Sequence, residues 1–123
     1  MNDFQKSLPE DLPGIDVAFG LKQCIGNSEL FQTLLHRFWE DYQAIDQILY
    51  NQNGVPEEQN TLLHSVKGAA INLGMSDLAI LCQELKDDLD ADSMIPEEPV
   101  ERFHKELEKI GGSIKTLDSF IQS

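Results

Sequence analysis

His64, Lys67 and Gly68 fall within about one helical turn of each other in the run His64-Ser65-Val66-Lys67-Gly68-Ala69-Ala70-Ile71-Asn72-Leu73-Gly74. An imidazole can attack an electrophilic phosphorus, a lysine one turn on can approach the phosphate as a point charge, and a glycine beside them leaves room for a bulky partner. At 3.6 residues per turn, Asn60, His64, Lys67, Gly68, Ile71 and Met75 share one helix face, with Leu62, Val66, Ala69 and Leu73 opposite. Glycine inside a helix costs about 1 kcal/mol relative to alanine, so Gly68 marks a place where cleared space has a use. Ile71 and Met75 add apolar surface to the same side, as a docking patch does.

The next helix supplies a second half. A turn centred near Met75 folds the chain back on itself, so positions equally far from Met75 lie side by side and His64 faces Lys86. The chain has 9 lysines and arginines, and two of them then converge on one histidine. Their field would stabilise a phosphoryl group on that ring. Gln83, one turn before Lys86, adds a polar group to the same surface.

Other chemistries fit poorly. His36 beside Arg37 and His104 beside Phe103 read as solvated side chains. Glu101 and His104 form one Glu-x-x-His pair, but a di-iron bundle needs two such pairs and two further inward glutamates, so no metal site is expected. The chain contains no nucleophile elbow, Gly-rich phosphate loop or HExxH. Cys24 and Cys82 lack metal or redox spacing, and Cys82 falls in an apolar stripe, as a buried reduced thiol does.

Positioning these groups requires helices. Residues 1–14 contain Pro9, Pro13 and Gly14 and no periodicity, which predicts a flexible tail or linker before a domain over 15–123. Asp16 is placed to cap a short helix ending near Cys24, and Asn27 to cap the next, with Glu29 in its first turn. Phe31, Leu34, Leu35, Phe38, Tyr42, Ile45 and Leu49, widened by Leu30, Trp39 and Ile48, predict one helix over roughly 28–50. Asn51-Gln52-Asn53-Gly54 forms a turn cluster and Pro56 opens the motif helix, which stops at Gly74. Ser76 should cap a helix striped by Leu78, Leu81, Cys82, Leu85 and Leu89. After the break Asp92-Ser93-Met94-Ile95-Pro96, a seam of Val100, Phe103, Leu107, Ile110, Ile114, Leu117 and Ile121 predicts the last helix. Gly111-Gly112 inside it predicts a kink or a close helix approach. The expected fold is all-α: an antiparallel up-down-up-down four-helix bundle with a short N-terminal cap helix.

Composition narrows the partners. With 123 residues, 41% apolar and 25% charged, the chain suits one globular domain. A formal net charge of −13 opposes binding to nucleic acid or an anionic membrane. No apolar run approaches the ~18 residues of a membrane span, and MNDFQKSLPEDLPG has no signal-peptide core.

His64-x-x-Lys67-Gly68-Ala69-Ala70-x-x-x-Gly74 resembles the H-x-x-K-G-[SA]-[SA]-x-x-x-G pattern of histidine-containing phosphotransfer (HPt) domains of multistep phosphorelays. Leu12-Pro13-Gly14-Ile15-Asp16 is similar to the segment preceding such domains at the C-terminus of hybrid sensor kinases, and the resemblance spans roughly residues 12–121. It implies that His64 is the phosphoacceptor, assisted by Lys67, and that Gly68 admits the partner's active site. Lys86 stands where the family often has glutamine or another polar residue, which favours phosphate contact, with Gln83 a substitute hydrogen-bonding group. The implied partners are response-regulator receiver domains and a sensor histidine kinase, on the same polypeptide or another. No cofactor is expected on this chain, the Mg2+ belonging to the receiver. A carrier without an ATP site is not an enzyme by itself; a monomer in the cytoplasm is expected. The linker-like opening favours a kinase terminus over a free-standing protein. Asn60, Gly68, Ile71, Met75 and Gln83 are the expected partner-docking residues. The alternative is a non-catalytic helical module that docks a receiver or kinase without carrying phosphate, with Ile71 and Met75 binding the partner.

Overall fold

Asp16 starts the first helix, α1 (Val17–Gln23), by accepting a hydrogen bond from the Phe19 N–H at 3.0 Å. Asn27 does the same for α2 (Ser28–Tyr42), accepting from the Leu30 N–H at 3.0 Å. The chain continues through α3 (Ile45–Tyr50), α4 (Pro56–Asn72), α5 (Ser76–Asp92) and α6 (Glu97–Gln122). This computed structural model describes residues 8, 9, 11–50, 54–92 and 95–122, without the side chains of Asp46, Tyr50, Phe120, Ile121 and Gln122. Residues 1–7 and 10 of the expected tail, turn residues 51–53, Ser93 and Met94 of the expected break, and the Ile121 side chain of the expected seam lie outside the described residues.

Cross-helix pairs give the topology. From His36 to Trp39 the α2 chain advances while its α6 neighbours fall from Asp118 to Gly111, so these helices are antiparallel. Residues 93–96 are all that separates α5 from α6, and Arg102 Nη1 pairs with Glu84 Oε2 at 3.1 Å between them. Lys67–Gln83 and Asn60–Asp90 hydrogen bonds make α4 and α5 an antiparallel hairpin. An up-down-up-down bundle follows, closed around Phe31, Leu35, Leu63, Val66, Leu78, Leu85, Phe103, Leu107, Ile110, Ile114 and Leu117, all buried.

Several expectations change. The single helix expected over 28–50 is two, because the chain turns at Gln43 and Ala44; this re-aims Ile45 and Leu49 into the core beside α6 and leaves Ile48 exposed. Leu30, expected to widen the stripe, is also exposed. Ser76 is the first helical residue of α5 rather than its cap, since the Ala79 N–H already bonds to the Met75 carbonyl at 3.0 Å. In α4 the core face runs through Leu63, Val66 and Ala70, while Leu62 and Ala69 are half-buried at its margins. His36 is not simply solvated: its Nε2 lies 2.6 Å from Asp118 Oδ1 and joins α2 to α6. His104 lies 3.2 Å from Glu108 Oε1.

The packed body also begins before residue 15. Leu8 and Leu12 are buried, and Ser113 Oγ donates to the Pro13 carbonyl at 2.5 Å. The Asp16 N–H donates to the Gly74 carbonyl at 2.7 Å, so the entering segment joins α6 to the α4–α5 turn. At Gly111 a Cβ would lie 2.3 Å from the Trp39 ring, so the expected close approach is to the indole of α2. Deleting a side chain there lets the two helices approach.

Candidate functional site

Pro56 supplies the fixed φ suited to the first turn of α4, and Glu57 and Glu58 complement its N-terminal dipole. His64 lies two turns further on, exposed, with no side-chain hydrogen bond among the described residues. Gly68, one turn beyond, is exposed, and nothing lies within 4 Å of where its Cβ would be. Ile71 continues that strip at 47% exposure. An open wall thus stands beside an accessible imidazole. A large partner can approach the ring without displacing any side chain at position 68.

The flank toward α5 is polar and cross-linked. Lys67 Nζ donates to Gln83 Oε1 at 2.5 Å, and Gln83 Nε2 donates to Asp87 Oδ1 at 2.8 Å. Lys86 Nζ donates to Asn60 Oδ1 at 2.7 Å, and Asn60 Nδ2 donates to Asp90 Oδ1 at 3.1 Å. Lys67 and Gln83 are equally far from Met75, as are Asn60 and Asp90, so the hairpin register is the one that sets Lys86 opposite His64. The Lys86 ammonium is bonded to Asn60, one turn before His64 on the same helix face. Beneath both lysines the buried Cys82 thiol is pushed up to about 12 by desolvation, against the opposing pull of the Lys67 and Lys86 charges. This thiol is protonated near neutral pH and chemically quiet.

Seven of the residues singled out from the sequence therefore gather around one surface: His64, Lys67, Gly68 and Ile71 on α4, with Asn60 before them, and Gln83 and Lys86 across the hairpin. Met75 does not join them. It is fully buried, because α4 ends at Asn72 and the chain reverses through Gly74, so a helical wheel carried past that end loses its meaning. Asp87 and Asp90 went unnoticed in the sequence. Asp87 is four residues after Gln83, and Asp90 mirrors Asn60 across Met75, so register alone was enough to find them.

Among the described residues no group of His, Cys, Asp and Glu side chains is arranged to hold a metal ion, and no helix is long and apolar enough to cross a membrane. The family model of the Hpt domain matches residues 1–113. No curated protein and no solved structure matches the chain. With its histidine on an exposed helix face, this chain belongs to the Hpt domain family, the modules with a histidine phosphotransfer role in phosphorelays.

Proposed function

We propose that His64 accepts a phosphoryl group from the aspartyl phosphate of a response-regulator receiver domain and passes it to the aspartate of a second receiver. The observation that carries this reading is the exposed His64 imidazole beside the unobstructed surface at Gly68. A lone pair on one ring nitrogen attacks phosphorus in line, the P–O bond to the donor aspartate breaks, and its electron pair remains on the receiver's carboxylate. The other ring nitrogen, in contact with water, releases its proton. Transfer onward is the reverse sequence with a new carboxylate as acceptor.

Lys67 and Lys86 contribute positive charge beside the ring and thereby favour the phosphorylated state. The receiver would hold the Mg2+, which would supply charge neutralisation for the phosphoryl oxygens, while Lys67 and Lys86 supply the positive charge on this chain. The chain acts as a carrier without an ATP site, as a monomer in the cytoplasm, and its partners are receiver domains and a sensor histidine kinase.

Incubation with a radiolabelled phospho-receiver tests the reading. The expected product carries acid-labile, alkali-stable phosphate on the peptide containing His64. An acid-stable label, or a label on any other peptide, would overturn it.

Gly68→Gln tests the cleared surface. The new side chain enters open space on a helix that favours glutamine over glycine by a few tenths of a kcal/mol or more, so the fold should hold or gain. Transfer from the receiver should fall about tenfold or more, the equivalent of about 1.4 kcal/mol of docking energy. Labelling of His64 by phosphoramidate, a donor too small to need the space, should persist. Unchanged receiver affinity would remove the clearance argument.

A further inference from the structure

Each lysine of this site is held by a carboxamide, and each carboxamide is held in turn by an aspartate. Lys67 donates to Gln83 at 2.5 Å and Gln83 donates to Asp87 at 2.8 Å; Lys86 donates to Asn60 at 2.7 Å and Asn60 donates to Asp90 at 3.1 Å. The two arms run in opposite directions across the hairpin, one from a lysine of α4 and one from a lysine of α5. In both, the amide oxygen faces the cation and the amide NH2 faces the anion. A carboxylate in direct contact with either lysine would cancel its charge where the phosphoryl group must bind. A neutral amide fixes the ammonium and keeps the anion one group further away, where its Coulomb attraction is weaker.

We propose that Asn60 and Gln83 are positioning residues that hold the Lys86 and Lys67 ammonium groups beside His64 as uncompensated cations for its phosphoryl group. Their sequence positions suit docking contacts, but their side-chain amides are committed within the hairpin. Asn60 lies one turn from His64 on the same face of α4, so an ammonium bonded to it is held about one helical turn from the imidazole. Asp87 and Asp90 fix the orientation of each amide, presenting oxygen rather than nitrogen to the lysine. The inference rests on the reading of His64 as the phosphoacceptor.

Phosphoramidate labels the chain without a receiver, and 31P NMR then follows the titration of the phosphoryl group on His64. A nearby cation lowers the midpoint of that titration. Asn60→Ala and Gln83→Ala should each raise it by about half a pH unit. In a background where the corresponding lysine is methionine, Lys86→Met for Asn60 and Lys67→Met for Gln83, neither alanine substitution should shift it further. Loss of a merely structural cross-link would lower thermal stability and leave the midpoint in place. Unchanged midpoints in both alanine variants, or equal shifts with and without the lysines, would overturn the positioning role and leave the phosphoacceptor assignment intact. Failure of His64 to take phosphate from either phosphoramidate or a receiver would overturn both.

Discussion

Replacing His64 with glutamine is expected to abolish receiver-dependent phosphorylation, lowering the label by on the order of a thousandfold or more, because no other group can replace the attacking ring nitrogen. The same substitution should leave the bundle intact. His64 is exposed, has no side-chain hydrogen bond among the described residues, and glutamine is at least as good a helix former. Surface changes of this kind move stability by about 0.5 kcal/mol or less, so far-UV circular dichroism and Tm should match the parent protein. Receiver affinity should persist too, since Gly68 and Ile71 remain open beside the substituted position. Phosphate acceptance lost with fold and docking retained is the signature of a carrier side chain. Label surviving at the parent level would overturn the assignment of His64 and place the phosphate on another residue, the other two histidines being the first to test. Both are already engaged, His36 with Asp118 across α2–α6 and His104 with Glu108 along α6.

The histidine strip was legible because helical periodicity depends only on spacing, and α4 is regular from Pro56 to Asn72. The α4–α5 register was legible for a related reason: a tight reversal leaves little freedom in which positions meet, and Lys67 with Gln83 and Asn60 with Asp90 follow the symmetry about Met75. The orientation of a long side chain is a different question. From Lys86 the ammonium can reach His64 or Asn60, and backbone register does not choose between them; the Asn60 oxygen, oriented by Asp90, takes it. Met75 was misplaced because the helical wheel does not extend past Gly74, the stop that the sequence itself marks, and the residue beyond it turns into the core.

The entering segment was the least legible part. Leu8 and Leu12 have no periodic context, so nothing in their spacing announces burial, yet both pack against the bundle. Pro13 and Gly14 resemble linker residues in composition. In the structure they form a turn closed by the Ile15 N–H bonding to the Leu12 carbonyl at 2.9 Å and secured to α6 by Ser113. Irregular backbone of this kind is specified by contacts from distant parts of the chain. It also links the site to the rest of the fold, because the residue that follows it, Asp16, contacts both α1 and the turn behind the motif helix.

That contact makes Gly74 the motif glycine with the larger structural consequence. Its φ is +79°, a left-handed conformation costing roughly 1–2 kcal/mol for an L-residue with a side chain. A Cβ at this position would lie 2.4 Å from the Asp16 carbonyl oxygen and 3.2 Å from its nitrogen, both backbone atoms that no rotamer change can move aside. Gly74→Ala must therefore push the entering segment off the turn, weakening the 2.7 Å hydrogen bond from the Asp16 N–H and disturbing the cap of α1. The expected cost is about 3 kcal/mol, or a fall in Tm of about 10–15 °C for a domain of this size. Gly68→Ala provides the opposite control, since its methyl group meets nothing within 4 Å and removes a helix-interior glycine, for a gain of up to about 1 kcal/mol. Thermal unfolding of the two variants thus separates two roles within one short motif. Gly74 is required by the backbone that reverses the chain, whereas the fold has no need of a glycine at Gly68, whose Cβ would meet open space beside His64. A Gly74→Ala protein that melts within about 3 °C of the parent would mean that Asp16 does not hold the turn and that the entering segment does not support the site.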